Sequence, residues 1–404
     1  MVKFKNYEMF RMASRQSSIS LVQPFMKHWS KHGLKMWLTI YEEFPQSFYY
    51  MDKKSYGQLT RNIFKIICKD QEHLKKYEPR KKALLKTAKA LATFKEQDNL
   101  TKLFESYLKA SDDFGEYIIG SFAMDEQLQK KLQKKFPKEF DLITMPYKLT
   151  EYQKMEQELI SKKPEEIVKE FCWLNIYSGF EKIYDVEYFK ELKKELSNKK
   201  IKSLNEQLRK NKEEFCKFTE TIKDDDWKEK CILMHEYANI KNDRIDALKK
   251  SVFYLTKFYE KLAKKIKDPD ITGRTLINTS HEEIKDIIKG KINCEEIKKR
   301  NKEIIFYYDH ELVIITDEKK IKKIKAQLKE KKRKSNSIKG SVANKGKAIG
   351  KAKIITDVRE LSKVIKGDII IARVTDPRYT TYIRKCKGIV TDEGGILSHT
   401  AIIS

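Results

Sequence analysis

Half of the chain's 14 glycines lie in its last 65 residues, at positions 340, 346, 350, 367, 388, 394 and 395, and the other seven are spread over the preceding 339. Glycine supplies tight turns and close backbone approaches, and it weakens helix interiors. A chain divided in this way has to fold as two architectures: a long, glycine-poor part suited to helices and a short, turn-rich part. At 404 residues there is room for two or three domains, each with a core of its own.

The long part carries helical periodicity. Leu84, Leu85, Ala88, Leu91 and Ala92 recur at the spacing of one helix face. A longer run from about Trp227 to Ile266 places Ile240, Ile245, Leu248, Val252, Leu255, Phe258, Tyr259 and Leu262 in one apolar stripe. Asp224-Asp225-Asp226 fits the acidic start of that helix, and Asp268-Pro269-Asp270 its end. Pro45 and Pro137 mark earlier breaks, and Trp29 and Trp37 read as core. These features predict a mainly α-helical domain over residues 1–275. A small α/β element is expected over 276–318. There, Ser280 and Glu283 have the spacing of a capping box. Two apolar runs, Ile304-Ile305-Phe306-Tyr307-Tyr308 and Glu311-Leu312-Val313-Ile314-Ile315, flank Asp309-His310 as a hairpin would. Residues 319–339 are lysine-rich and end in Lys334-Ser335-Asn336-Ser337. The first half suits a helix and the second a joint, either a hinge or a solvated connector.

The formal net charge of +27 raises the question of a polyanionic partner. Many lysines alternate with glutamates, as in Phe189-Lys190-Glu191-Leu192-Lys193-Lys194-Glu195-Leu196, which is the pattern of a solvated helix surface, so nucleic acid is not expected as a specific partner. No stretch approaches the ~20 apolar residues of a membrane span, and the N-terminus lacks the apolar core of a signal peptide. A cytoplasmic protein with no membrane association is expected. The six cysteines have no CxxC spacing, and reduced packing thiols are expected. His28 and His32 could share a helix face but have no third ligand near them in sequence, so no metal site is expected. Arg244, one turn from Ile240 and Leu248, suits a surface ion pair better than a phosphate contact.

From Ile338 onward, short apolar runs alternate with turns. Ala352-Lys353-Ile354-Ile355, Ile369-Ile370-Ile371-Ala372 and Gly388-Ile389-Val390 read as strands, with helical turns near Leu361–Val364 and Tyr379–Lys385. The chemistry concentrates in Thr391-Asp392-Glu393-Gly394-Gly395-Ile396-Leu397-Ser398-His399-Thr400-Ala401. Paired glycines after a strand turn the chain tightly and present amide N–H groups. A helix starting near His399 would favour an anion beside the ring, and Ser398 and Thr400 add hydroxyl donors. Neutral imidazole near pH 7 is a nucleophile suited to phosphoryl transfer. A structural histidine after Gly394-Gly395 is the plainer alternative on these residues alone.

Residues 340–404 resemble the swivelling phosphohistidine domain of phosphoenolpyruvate-utilising enzymes, a family that includes phosphoenolpyruvate synthase, pyruvate phosphate dikinase and rifampicin phosphotransferase. Four landmarks carry the resemblance in order. Gly340-Ser341-Val342-Ala343-Asn344-Lys345-Gly346-Lys347-Ala348-Ile349-Gly350 is similar to the opening glycine-rich strand and turn. Lys366-Gly367-Asp368-Ile369-Ile370-Ile371-Ala372 is similar to the "GD" strand, Thr375-Asp376-Pro377 to a turn, and Thr391–Ile403 to the phosphohistidine signature. The helical part resembles the family more loosely, through His235-Glu236-Tyr237-Ala238-Asn239-Ile240-Lys241-Asn242-Asp243-Arg244, Thr279–Ile284 and the hairpin.

The resemblance implies a small α/β swivelling domain over 340–404, a hinge at 319–339, and His399 as a transient phosphoryl carrier. Thr391, Gly394, Gly395, Ser398 and Thr400 would support the phosphate. ATP and Mg2+ are implied on an ATP-grasp nucleotide-binding domain or subunit, which is not recognised in this chain. Phosphate would pass to a small-molecule acceptor such as pyruvate. Leu397 stands where synthases and dikinases usually carry threonine, and this is closer to the rifampicin-phosphotransferase branch. Ser404 comes five residues after the histidine, where the family continues with arginine and further strands, so an incomplete, C-terminally truncated swivelling domain is expected. The alternative function is a non-catalytic basic helical scaffold that binds RNA or a protein partner and keeps a degenerate carrier domain.

Overall fold

The computed structural model describes residue 4 and residues 7–16, 18–43, 46–176, 179–309, 311–328, 340, 342, 346–356, 358–373, 375, 379–383 and 385–392. The chain divides into two compact units, Met1–Lys329 and Glu330–Ser404.

The first unit is largely helical but is built around a sheet. Five antiparallel strands, β1 (Met9–Gln16), β2 (Trp37–Glu43), β3 (Gln46–Asp52), β4 (Ile304–Asp309) and β5 (Glu311–Ile315), lie in the order β1-β3-β2-β4-β5. The hairpin forms as its pattern predicts, with Asp309 opposite Glu311, and His310 lies outside the described residues. It is not a separate element, however. β4 pairs with β2 from Trp37 opposite Tyr308 to Tyr41 opposite Ile304, so residues 276–318 are not bounded at 275. The pairing joins residues more than 260 positions apart, and no local periodicity reports it.

Both faces of this sheet are covered. Trp37, Tyr41, Met51, Ile304 and Phe306 pack into the main helical core. Met36, Leu38, Ile40, Ile305 and Tyr307 pack on the other side against Ile321 and Ile324 of the helix Glu318–Leu328. Strands buried on two faces read as continuous apolar runs rather than as an alternation. The predicted helical first half of the 319–339 segment is therefore a structural cover, and residues 329–339 lie outside the described residues.

The helices α1 (Ile19–Lys31), α2 (Lys53–Lys69), α3 (His73–Ala92) and α4 (Leu100–Met124) surround a 39-residue helix, Asp225–Ala263, hereafter the long helix. Asp224 caps it by accepting from the Trp227 amide at 3.2 Å. The Ser280–Glu283 capping box is present, with bonds of 2.7 and 3.2 Å in its two directions. A satellite core of Tyr152, Met155, Leu159, Phe171, Trp173 and Phe189 forms beside the long helix from three short helices, Glu151–Ser161, Pro164–Phe171 and Val186–Glu195. Surface lysines pair with glutamates one turn away, as Lys190 does with Glu187 at 2.7 Å. No helix among the described residues is long and apolar enough to cross a membrane.

The second unit is a three-stranded parallel sheet of β6 (Ala352–Ile355), β7 (Ile369–Ala372) and β8 (Gly388–Thr391), in that order. Leu361, Val364, Tyr379 and Ile383 cover one face, meeting Ile355, Ile370 and Ala372. The chain is thus a mainly helical region followed by a small α/β unit.

Candidate functional site

The glycine landmarks of the second unit have direct structural reasons. A Cβ on Gly350 would lie 2.2 Å from the carbonyl oxygen of Gly367, so only glycine lets the opening segment cross the turn before β7. Gly367 itself sits at φ +98°, in the left-handed region, and its amide donates to the Lys385 carbonyl at 2.9 Å. Asp368 is buried, and its carboxylate accepts from the Ile365 amide at 3.0 Å. This ties the "GD" pair to the turn ahead of it. Lys387 donates to the Asp368 carbonyl at 2.8 Å, which sets β8 beside β7.

Register then defines one edge of the sheet. Ile355, Ala372 and Thr391 are neighbours across β6, β7 and β8, so Thr356, Arg373 and Asp392 follow at the carboxyl ends of the strands. The Asp392 amide extends the ladder by donating to the Ala372 carbonyl at 3.2 Å. Thr356 donates to Glu360 from its amide (2.9 Å) and its hydroxyl (2.8 Å), and Lys363 holds the same carboxylate at 2.9 Å. Ligands of open α/β sheets bind outside the carboxyl ends of the strands. Sequence reasoning had no means of bringing Thr356, Arg373 and Asp392 together, because their proximity depends on strand order.

Of the predicted site residues, Thr391 is the last residue of β8, half-buried and level with the buried Ile355 and Ala372. Gly394, Gly395, Ser398, His399 and Thr400 lie outside the described residues, as does Asp376-Pro377. The segment that carries them begins one residue beyond Asp392, at this carboxyl edge.

The other candidates resolve as structure. His28 and His32 face each other on α1 with ring centroids 4.8 Å apart, and His28 Nδ1 lies 3.2 Å from Asp112. Among the described residues, no group of three or more His, Cys, Asp or Glu is disposed to hold a metal ion. His235 is buried between the rings of Tyr147 and Phe215, and burial lowers its pKa to about 4. The expectation of a surface ion pair for Arg244 is corrected. The residue is buried, donates from Nε to the Ser121 hydroxyl at 2.7 Å, and lies over the Phe122 ring. The long helix is packed on nearly every side, so its apolar spacing did not mark which charges were outside. Trp29 and Trp37 are core, stacked at 4.7 Å.

Residues 364–404 match the family described as PEP-utilising enzyme, mobile domain. This unit belongs to the phosphoenolpyruvate-utilising enzyme family. An uncharacterized phosphotransferase, YvkC, of Bacillus subtilis is 42% identical over 79 residues, covering 20% of this chain and 10% of the relative. A probable phosphoenolpyruvate synthase of Methanocaldococcus jannaschii is 35% identical over 123 residues, covering 29% of this chain and 10% of the relative. The phosphoenolpyruvate synthase of Escherichia coli is 27% identical over 149 residues, covering 35% of this chain and 19% of the relative. The chain therefore spans between a tenth and a fifth of the length of these relatives. The mobile-domain match includes β7, β8 and the whole Thr391–Ala401 motif.

Proposed function

We propose that the C-terminal unit is the phosphoryl carrier of a phosphotransferase related to phosphoenolpyruvate synthase, with His399 as the carrier residue. The observation that supports this most is positional. The Gly394-Gly395…His399 segment follows directly from the carboxyl end of a parallel strand, in a unit of the phosphoenolpyruvate-utilising family. At that edge a glycine turn can aim amide N–H groups and an imidazole at the same phosphate. Neutral His399 attacks a phosphorus of ATP. The N–P bond forms, the bridging P–O bond breaks, and the nucleotide oxygen leaves with the electron pair. An oxygen of the acceptor then attacks the phosphohistidine, the N–P bond breaks, and the imidazole is regenerated. This reading assigns ATP and Mg2+ to an ATP-grasp nucleotide-binding domain or subunit, and the acceptor is a small molecule such as pyruvate. Separating the two half-reactions lets each site exclude water on its own.

The test mixes the full chain, an ATP-grasp partner and ATP labelled in turn at the β and γ phosphates. Acid-labile, base-stable label on the wild type, absent from His399→Ala, is expected. Equal labelling of both proteins removes His399 from the role.

A further inference from the structure

The long helix has two different sides. Tyr237, Ile240, Leu255, Phe258, Tyr259 and Leu262 join the main core. A second stripe is polar, buried, and occupied with the main chain of residues 147–179. Asn239 Oδ1 accepts from the amides of Tyr147 (2.9 Å) and Lys148 (3.0 Å). Asp246 accepts from the Glu151 amide at 3.2 Å. Lys249 donates to the Leu174 carbonyl, and Thr256 to the Gly179 carbonyl at 2.6 Å. Asn239, Asp246, Lys249 and Thr256 are between 3% and 9% exposed, so this seam is interior and yet polar.

The segment held by the seam has its own core of Tyr152, Met155, Leu159, Ile167, Phe171 and Leu192. Its apolar contact with the rest of the unit runs through Val252, with Leu21 and Phe253 at the margin. A cleft of about 380 Å³ opens at one end of the seam. Lys148, Thr150 and Lys154 line it from the segment, and Tyr77, Lys81 and Asp243 from α3 and the long helix.

These features make the seam inexpensive to open. When the segment lifts, water replaces each side-chain-to-backbone bond at little net cost, and two buried charges regain hydration. The internal core of the segment is untouched, so it has reason to move whole. Polar interfaces between compact parts permit relative motion, while apolar ones resist it. We propose that residues 147–196 are a cap that swings on the long helix as one body, releasing the bonds to Asp246 and Lys249 and opening the cleft. The proposal does not rest on the carrier role of His399.

Hydrogen exchange on the full chain tests it. The amides of Glu151–Ser161, Pro164–Phe171 and Val186–Glu195 are expected to exchange at one common rate, roughly 100-fold faster than those in the middle of the long helix. Lys249→Met, which removes the bond to Leu174, is expected to speed the cap amides about tenfold and leave the long helix unchanged. Three different rates within the cap, a cap rate equal to that of the long helix, or acceleration of both by Lys249→Met would each overturn the proposal. If that variant does not fold, the wild-type rates decide alone.

Discussion

His235 and His281 are held neutral by burial, and each has its pKa lowered to about 4 from the ordinary 6.5. In the unfolded chain both bind protons below about pH 6.5, so stability falls as pH drops from there toward 4. Asp246 works in the opposite sense. Burial raises its carboxyl to about 6, so the folded state takes up a proton first and gains stability as pH falls through that value. Burial also pushes Glu116 upward, but His73 at 3.2 Å and Arg80 at 2.6 Å outweigh it and bring the carboxyl to about 2. Its contribution is therefore complete above pH 4.5 and is lost only on further acidification. Between pH 7 and 5 the two histidines together lose about 4 kcal/mol and Asp246 returns about 1, a net loss of roughly 3 kcal/mol. Urea unfolding of the first unit at the two pH values measures this, and a flat profile would contradict it. Gly350 gives a second prediction at this scale. Gly350→Ala forces a methyl against the Gly367 carbonyl and is expected to cost at least about 2 kcal/mol in the second unit. Gly346→Ala meets open space and serves as the control, so equal melting temperatures for the two variants would refute the close approach.

The helix Glu318–Leu328 shows how an element can be read correctly and misassigned. Its periodicity predicts a helix, its lysines suggest a connector, and its Ile321 and Ile324 close the second face of the five-stranded sheet. Ile324→Ala should therefore cost about 2–4 kcal/mol in the first unit, measured by thermal melting. A cost near zero would return the helix to the role of a linker. Legibility followed locality. The long helix, its acidic cap, the Ser280 capping box, the hairpin and all three strands of the second unit were visible because neighbours along the chain fix them. β1, β2 and β3 were missed. Trp37–Glu43 and Gln46–Asp52 are rich in aromatic residues, and Pro45 between them marks a turn, but the burial that makes them strands comes from residues beyond 300. The candidate site was legible as a motif because glycine and histidine sit at fixed offsets. The edge that receives the motif was not, since Thr356, Arg373 and Asp392 meet only through strand order.

Each of the two units has a core of its own. Ile355, Leu361, Val364, Ile370 and Tyr379 form the second without any residue of the first. A carrier that works by travelling needs this independence, because a domain sharing its core with its support cannot leave it without unfolding. Ile370 is fully buried in the middle strand, and Ile370→Asp places an unpaired carboxylate there. This change is expected to unfold the second unit and abolish labelling of the chain by ATP and an ATP-grasp partner. The first unit should keep its circular dichroism and its melting transition. A chain of residues 1–329 should show that same transition by itself. If Ile370→Asp lowers the melting temperature of the first unit as well, the units are coupled in folding. The second would then be a fixed part of one body, and transfer by a travelling histidine would lose its mechanical basis.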